Sequence, residues 1–153
     1  MKQDTWNRLD QMFANAPMMK ASGVSYEEID ETTSKEGFVL PESYREFIHR
    51  YGGATVGPYS VIGLRAADTM GGEEISVFDI TRRFRTDGWS GTENWLIFST
   101  DLAGNPIGFD QDGVVWISDH GNGSVDKIAK DFESYILEIC LGVDNAQEGN
   151  QAI

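Results

Sequence analysis

The sequence predicts an α+β fold, a single domain in which helices pack against an antiparallel sheet. Three observations lead there. Apolar residues recur at helical spacing through the first third of the 153-residue chain. Short apolar runs joined by tight Gly-containing turns follow between Trp95 and Ser118. A further helical stripe between Lys127 and Leu141 closes the pattern. A chain of this size buries roughly two thirds of its unfolded surface and folds without staples. Its composition, 40% hydrophobic and 24% charged, excludes an intrinsically disordered chain. The scattered Gly and Pro exclude a fibrous one.

The first helix is expected over Thr5 to Ala16, where Trp6, Leu9, Met12, Phe13 and Ala16 share one face. Asp4 is read as its N-cap and Pro17 as its stop. Ser25 opens a second, polar helix. Ser25 and Glu28 have capping-box spacing, Val24 and Ile29 stand at staple spacing, and Gly37 ends the run. Pro41 is read as the first residue of the third helix, where a missing N–H costs nothing. Tyr44, Phe47, Ile48 and Tyr51 form its stripe, and Gly52-Gly53 terminates it. A strand is expected over Tyr59 to Leu64, entered through Gly57-Pro58, and Gly71-Gly72 marks a loop. Ile75 to Arg85 favours a helix, although its β-branched content leaves a strand open.

A meander comes next, with strands expected over Trp95–Ser99, Ile107–Asp110 and Val114–Ser118. Its turns are Gly104-Asn105-Pro106 and Gln111-Asp112-Gly113, and His120 to Ser124 reads as a Gly-rich loop. The last helix is expected over Lys127 to Leu141, burying Ile128, Phe132, Tyr135, Ile136 and Ile139. The third and last helices should meet Trp95, Ile97 and Trp116 on the sheet. Residues 1–23 read as an N-terminal helix and connector, 24–142 as the domain proper, and 143–153 as a frayed tail.

Charge narrows the function classes. Twelve basic residues against 25 acidic ones give a net charge of −13. Such a chain repels nucleic acid and anionic membrane and attracts basic proteins. The bland alternative is that the charge serves solubility. No Lys or Arg occurs between Arg85 and Lys127, a span holding Asp87, Glu93, Asp101, Asp110, Asp112, Asp119 and Asp126. A second acidic stretch runs from Tyr26 to Glu46, so a continuous negative surface is conceivable. No apolar run approaches the ~18 residues of a membrane span. The N-terminus lacks a signal peptide's apolar core, so the simplest expectation is a soluble cytoplasmic protein.

The candidate chemistry is sparse. Asp119-His120 has the residue types of an oriented general base, but adjacent residues point apart and no nucleophile motif accompanies them. Loop structure or partner contact is the preferred reading. Asp110-Gln111-Asp112-Gly113 is faintly like a calcium loop. Val114 and Trp116 stand where further oxygen ligands belong, so a hairpin turn is preferred. One cysteine, Cys140, excludes an intrachain disulfide and a Cys-based zinc site, and two histidines exclude a His-rich one. Cys140 reads as a buried hydrophobe and His49 as a core-edge hydrogen-bonding residue. Arg82, Arg83 and Arg85 are too narrow a basic cluster for nucleic acid and should pair internally. Trp89, within Asp87-Gly88-Trp89-Ser90-Gly91, is the tryptophan placed to anchor an interface. No catalytic residue, metal ligand or cofactor is assigned. The expected partner-binding set is Trp89, Glu93, Asp101, Asp110, Asp112, Asp119 and His120.

Leu40-Pro41-Glu42-Ser43-Tyr44-Arg45-Glu46-Phe47 followed by Tyr51-Gly52-Gly53 resembles the opening motif of the SUKH superfamily. These are the Smi/Knr-type proteins, comprising fungal cell-wall synthesis regulators and many bacterial relatives. Trp95-Leu96-Ile97-Phe98 with Gly104-Asn105-Pro106-Ile107 is similar to the family's central strand and turn. Val114-Val115-Trp116 with Asp119-His120, and Ile128-Ala129 with Phe132 and Tyr135, resemble its next strand and closing helix. The resemblance spans roughly Val24 to Leu141. It implies an α+β fold without established catalytic residues. It also implies the role commonly assigned to bacterial members, immunity against polymorphic and contact-dependent toxins through binding of a cognate toxin domain, often a nuclease. An acidic face suits fast capture of such a basic domain. A regulatory scaffold of the fungal kind, and a hydrolase built on Asp119 and His120, are the alternatives.

Overall fold

The computed structural model describes residues 1–71 and 76–143. Helix α1 (Gln3–Asn15) buries Trp6, Leu9 and Phe13 along the expected stripe. It starts earlier than expected. Lys2 is the cap, and Asp4 lies inside the first turn, where its charge favours the positive end of the helix dipole. The start is anchored by the Glu133 carboxylate, which accepts from the Lys2 N–H at 2.6 Å and the Thr5 hydroxyl at 2.9 Å. Pro17 ends the helix and opens a short 3-10 turn, Pro17–Met19.

Helix α2 (Tyr26–Glu36) is capped by Ser25, whose Oγ accepts the Glu28 N–H, and is closed by Gly37 at φ 76°. Only this half of the expected capping box forms, because the Glu28 carboxylate instead binds Arg65 at 2.6 Å. Helix α3 (Glu42–Tyr51) buries Tyr44, Phe47, Ile48 and Tyr51. Pro41 is its cap, with an extended ψ of 140°, and not its first helical residue. Gly52 follows at φ 76°, and a Cβ there would collide with the Ser22 carbonyl.

Strand β1 (Ala54–Val56) was not foreseen. It pairs with β2 (Tyr59–Val61) across the Gly57-Pro58 turn. β2 stops at Val61 and not at Leu64, because the backbone then turns to other partners. The Ile62 N–H donates to Phe98 O and the Leu64 N–H to Gly52 O. Helix α4 (Val77–Thr86) settles the open choice in favour of helix, with a full capping box between Ser76 and Asp79. The parts of the expectations falling on Gly72 and Ile75, and on the tail beyond residue 143, lie outside the described residues.

The main sheet has the order β3 (Leu96–Thr100), β4 (Pro106–Phe109), β5 (Val115–Ser118) and β6 (Val125–Ala129), all antiparallel. β6 corrects the sequence reading, which gave Lys127 to Ala129 to the last helix. These residues continue the meander, Val115 facing Ala129 and Trp116 facing Lys127. The helix begins only after Asp131, whose side chain caps Ser134. Helix α5 is an α-turn (Phe132–Ser134) that passes into a π-helix (Tyr135–Cys140).

One face of the sheet carries Leu96, Phe98, Ile107, Phe109 and Val115 into the main core with α1, α3 and α5. Tyr44 sits among Phe98, Phe109 and Phe132, with ring centroids 5.1–5.8 Å away, and its hydroxyl donates to Ile62 O. Phe47, Phe132 and Ile136 are fully buried with it, and Ile139 partly so. Trp95, Ile97 and Trp116 do not join α3 and α5 as expected. Strand alternation turns them to the opposite face, where Ile80 and Phe84 of α4 cover them. Gly108 lies on that face, and a Cβ there would come 3.1 Å from Trp95 Cβ and 2.8 Å from Leu96 O.

Candidate functional site

The antiparallel meander sorts the acidic span. Residues 101–105 join β3 to β4 and residues 119–124 join β5 to β6, so both loops lie at one end of the sheet. Residues 110–114 join β4 to β5 at the other end, where Leu96 pairs with Phe109. Four to five residues of strand separate the ends by roughly 13–17 Å. Asp101, Asp119 and His120 therefore share one end, and Glu93, Asp110 and Asp112 the other. The carboxylates of the span between Arg85 and Lys127 are thus divided between the two ends of the sheet.

At the first end, Asn105 ties the loops together. It is buried, its side-chain amide donates to Asp101 Oδ2 at 2.9 Å, and its Oδ1 accepts the His120 N–H at 3.0 Å. Asp101 Oδ1 accepts the N–H groups of Ala103 and Asn105. Burial pushes the Asp101 carboxyl up, but the hydrogen bonds from Asn105, Ala103 and Gly104 outweigh it and hold the group below the ordinary aspartate value. Asp119 Oδ1 accepts the Gly121 N–H at 2.7 Å, so it shapes its own turn.

Trp89 reaches this end from the loop after α4. Its half-buried indole packs edge-on against Phe84 at 5.4 Å and lies 5.0 Å from the exposed His120 ring. A cavity of about 240 Å³ opens there, lined by Asp87, Gly88, Trp89, Ser90, Ser118, Asp119, His120 and Gly123. Ser118 donates to Ser90 O at 2.7 Å, pinning the loop across the sheet. Three members of the expected partner-binding set, Trp89, Asp119 and His120, thus meet at one cavity. Asp87 joins them. Its sequence signal was only membership of the acidic span.

At the other end, Asp110 is a turn-builder. Its Oδ1 accepts the N–H groups of Asp112 and Val114, and its Oδ2 accepts the Trp116 indole N–H at 2.8 Å. Asp112 and Glu93 are exposed. A larger groove of about 550 Å³ runs past Glu93 and Asp110 between the α2–α3 connector and the sheet. Its walls include Phe38, Pro41, Arg85 and Val39, the last 94% exposed. Nothing in the sequence announced this groove, because its residues come from four separate stretches of chain.

The basic cluster is largely spent internally. Arg82 binds Glu36 at 2.6 Å and Asp79 at 2.7 Å. Arg85 donates to the carbonyls of Trp95 and Thr92 and lies over Phe38. Burial lowers its pKa, partly offset by Glu93. His49 behaves as expected of a core-edge residue, its Nδ1 2.8 Å from Val24 O and its ring stacked on Tyr26. Among the described residues, no three His, Cys, Asp or Glu side chains converge as a metal site. No helix there is long and apolar enough to cross a membrane.

The class of protein so defined is an α+β domain whose helices precede and follow a four-stranded antiparallel meander. The chain belongs to the SMI1/KNR4 family (SUKH-1), whose family model matches residues 23–138. Helix α1 lies before the matched region yet packs into the same core. No curated protein matches the chain's sequence.

Proposed function

We propose that the chain is a non-enzymatic protein-binding module that captures and neutralises a basic toxin domain. Family membership supports a protein-interaction or immunity-type role in broad terms. The observation that carries the finer reading is charge. A net charge of −13 comes with loop-borne carboxylates at both ends of the sheet and no Lys or Arg between Arg85 and Lys127. Such a surface accelerates encounter with a cationic domain and disfavours phosphate backbones. The end bearing Trp89 adds an aromatic anchor of the kind that concentrates binding energy.

The experiment is co-purification of the tagged chain with the product of the gene adjoining its own. Association rates are then measured at ionic strengths from about 0.02 to 0.5 M, across which screening shortens several-fold. A complex whose association slows steeply with salt, and protection of cells expressing the toxin domain, are the expected results. A salt-indifferent rate rejects the acidic surface. Failure of both capture and protection rejects the immunity role.

A further inference from the structure

The cavity beside Trp89 holds most of a chemistry that the chain completes elsewhere. Arg45 lies 4.2 Å from the centroid of the Tyr26 ring and is gripped by both oxygens of Asp30 at 2.8 Å. Arg50 lies 4.1 Å from the Trp6 ring centroid, with Glu46 at 2.8 Å and Asp10 at 3.8 Å. In both cases an aromatic face and a carboxylate together hold a guanidinium. Arg85, 5.2 Å from the Phe38 ring, is held instead by the carbonyls of Trp95 and Thr92.

Around Trp89 the ring and the carboxylates of Asp87 and Asp119 are in place, but no Lys or Arg lines the cavity. Neither carboxylate forms an ion pair among the described residues. On α4, Arg82 is held by Glu36 and Asp79 and Arg85 by Trp95 O, and Arg83, whose carbonyl accepts the Asp87 N–H, does not line the cavity. Asp119 commits Oδ1 to the Gly121 N–H, which orients the carboxylate and leaves Oδ2 for a ligand. Phe84 and His120 brace the indole. A volume of about 240 Å³ suits one long side chain and not a folded segment.

We propose that this cavity is a receptor for an arginine side chain of the protein partner, with the guanidinium against Trp89 and between Asp87 and Asp119. Arginine is favoured over lysine because a planar, weakly hydrated guanidinium stacks on a ring while forking to a carboxylate. The source of the arginine rests on the protein-binding reading above. The chemistry of the cavity does not, so the two are tested separately.

The probe is N-acetyl-arginine methylamide, titrated into the full chain and followed by the indole N–H resonances. N-acetyl-citrulline methylamide, of the same shape without the charge, is the control. The arginine probe should move the Trp89 resonance to saturation and leave those of Trp6 and Trp95 in place, with citrulline at least about tenfold weaker. Asp87→Asn and Asp119→Asn should each weaken the arginine probe several-fold, and Trp89→Ala should abolish binding as read at His120. Should Trp89→Ala fail to fold, Asp87→Asn, at an exposed position, carries the test. A Trp89 resonance unmoved by arginine, or moved equally by citrulline, overturns the receptor. If that happens while the toxin domain is still captured, the receptor falls and the protein-binding reading stands. Arginine binding without capture of the toxin domain supports the receptor and counts against that reading alone.

Discussion

Asp101 accepts hydrogen bonds from Ala103, Asn105 and the Asn105 side chain, and this makes its charge structural. Its folded carboxyl titrates below the unfolded value of 3.8. A depressed carboxylate contributes stability that is complete above the unfolded pKa and is lost as pH falls through the folded one. Asp101→Ala should therefore lose about 1–3 kcal/mol at neutral pH, from hydrogen bonds to a charged acceptor. Urea melts at neutral pH and below the ordinary carboxylate range should show that loss shrinking in acid. Cys140 is the opposite case. Burial pushes its thiol up to about 12, with the Tyr135 hydroxyl opposing weakly. A thiol-reactive dye should leave it unmodified in the native protein at neutral pH and react on unfolding, because the thiolate is the nucleophile. Fast labelling of the folded chain would contradict its packing.

At the scale of elements, the outer edge of β3, which no strand of the main sheet pairs, is covered by side chains and loops. The buried Thr81 hydroxyl of α4 accepts the Ile97 N–H at 2.9 Å and donates to Val77 O at 2.7 Å. Ile62 N–H takes Phe98 O, and Arg85 takes Trp95 O. A strand edge so occupied cannot template pairing with another chain. Thr81→Val keeps the shape and strands a buried N–H, so it should cost about 1–3 kcal/mol in a thermal or chemical melt. A neutral substitution would show that Ile97 has another partner. Helix α5 rests on Phe132, fully buried against Tyr44, Phe47, Phe98 and Phe109. Phe132→Ala, and Phe47→Ala on the facing helix, should each cost ~3–5 kcal/mol in the same assay. Their energies should not add, since the two rings touch at 5.3 Å.

For the whole molecule, the topology of the sheet decides which charges act together. Asp112 and Asp119 sit at opposite ends of the meander, so they are separable probes of where a partner docks. With the Trp89 cavity as the docking end, Asp119→Lys should slow association about tenfold and Asp112→Lys about twofold at low salt, both converging on the unmodified rate as salt rises. Equal effects would place the partner elsewhere, with the groove by Glu93 and Val39 as the next surface to examine.

Local chemistry was legible wherever one stretch of chain decides its own structure. The Ser25 and Gly37 limits of α2, the stripe of α3 and the Gly-rich turns of the meander all follow from capping, helical periodicity and positive φ. The family resemblance carried by Leu40–Phe47 and Trp95–Ile107 lies within the matched region for the same reason, its motifs being local. β6 was not legible, because Ile128, Phe132, Tyr135 and Ile136 fit a helical period. Only pairing with β5 decides that Ile128 belongs to a strand. The alternation of Trp95 and Ile97 was readable, but which face meets which helix depends on where α4 docks. Composition determined that this protein is acidic, and patterning determined that it is α+β. Tertiary structure alone decided that the carboxylates between Arg85 and Lys127 divide between two ends of the sheet, that Asp101 and Asp110 spend theirs on turns, and that Asp87, Trp89 and Asp119 surround one cavity. The physical reason is that sequence spacing sets local geometry, whereas electrostatics acts through distances that only the folded chain defines.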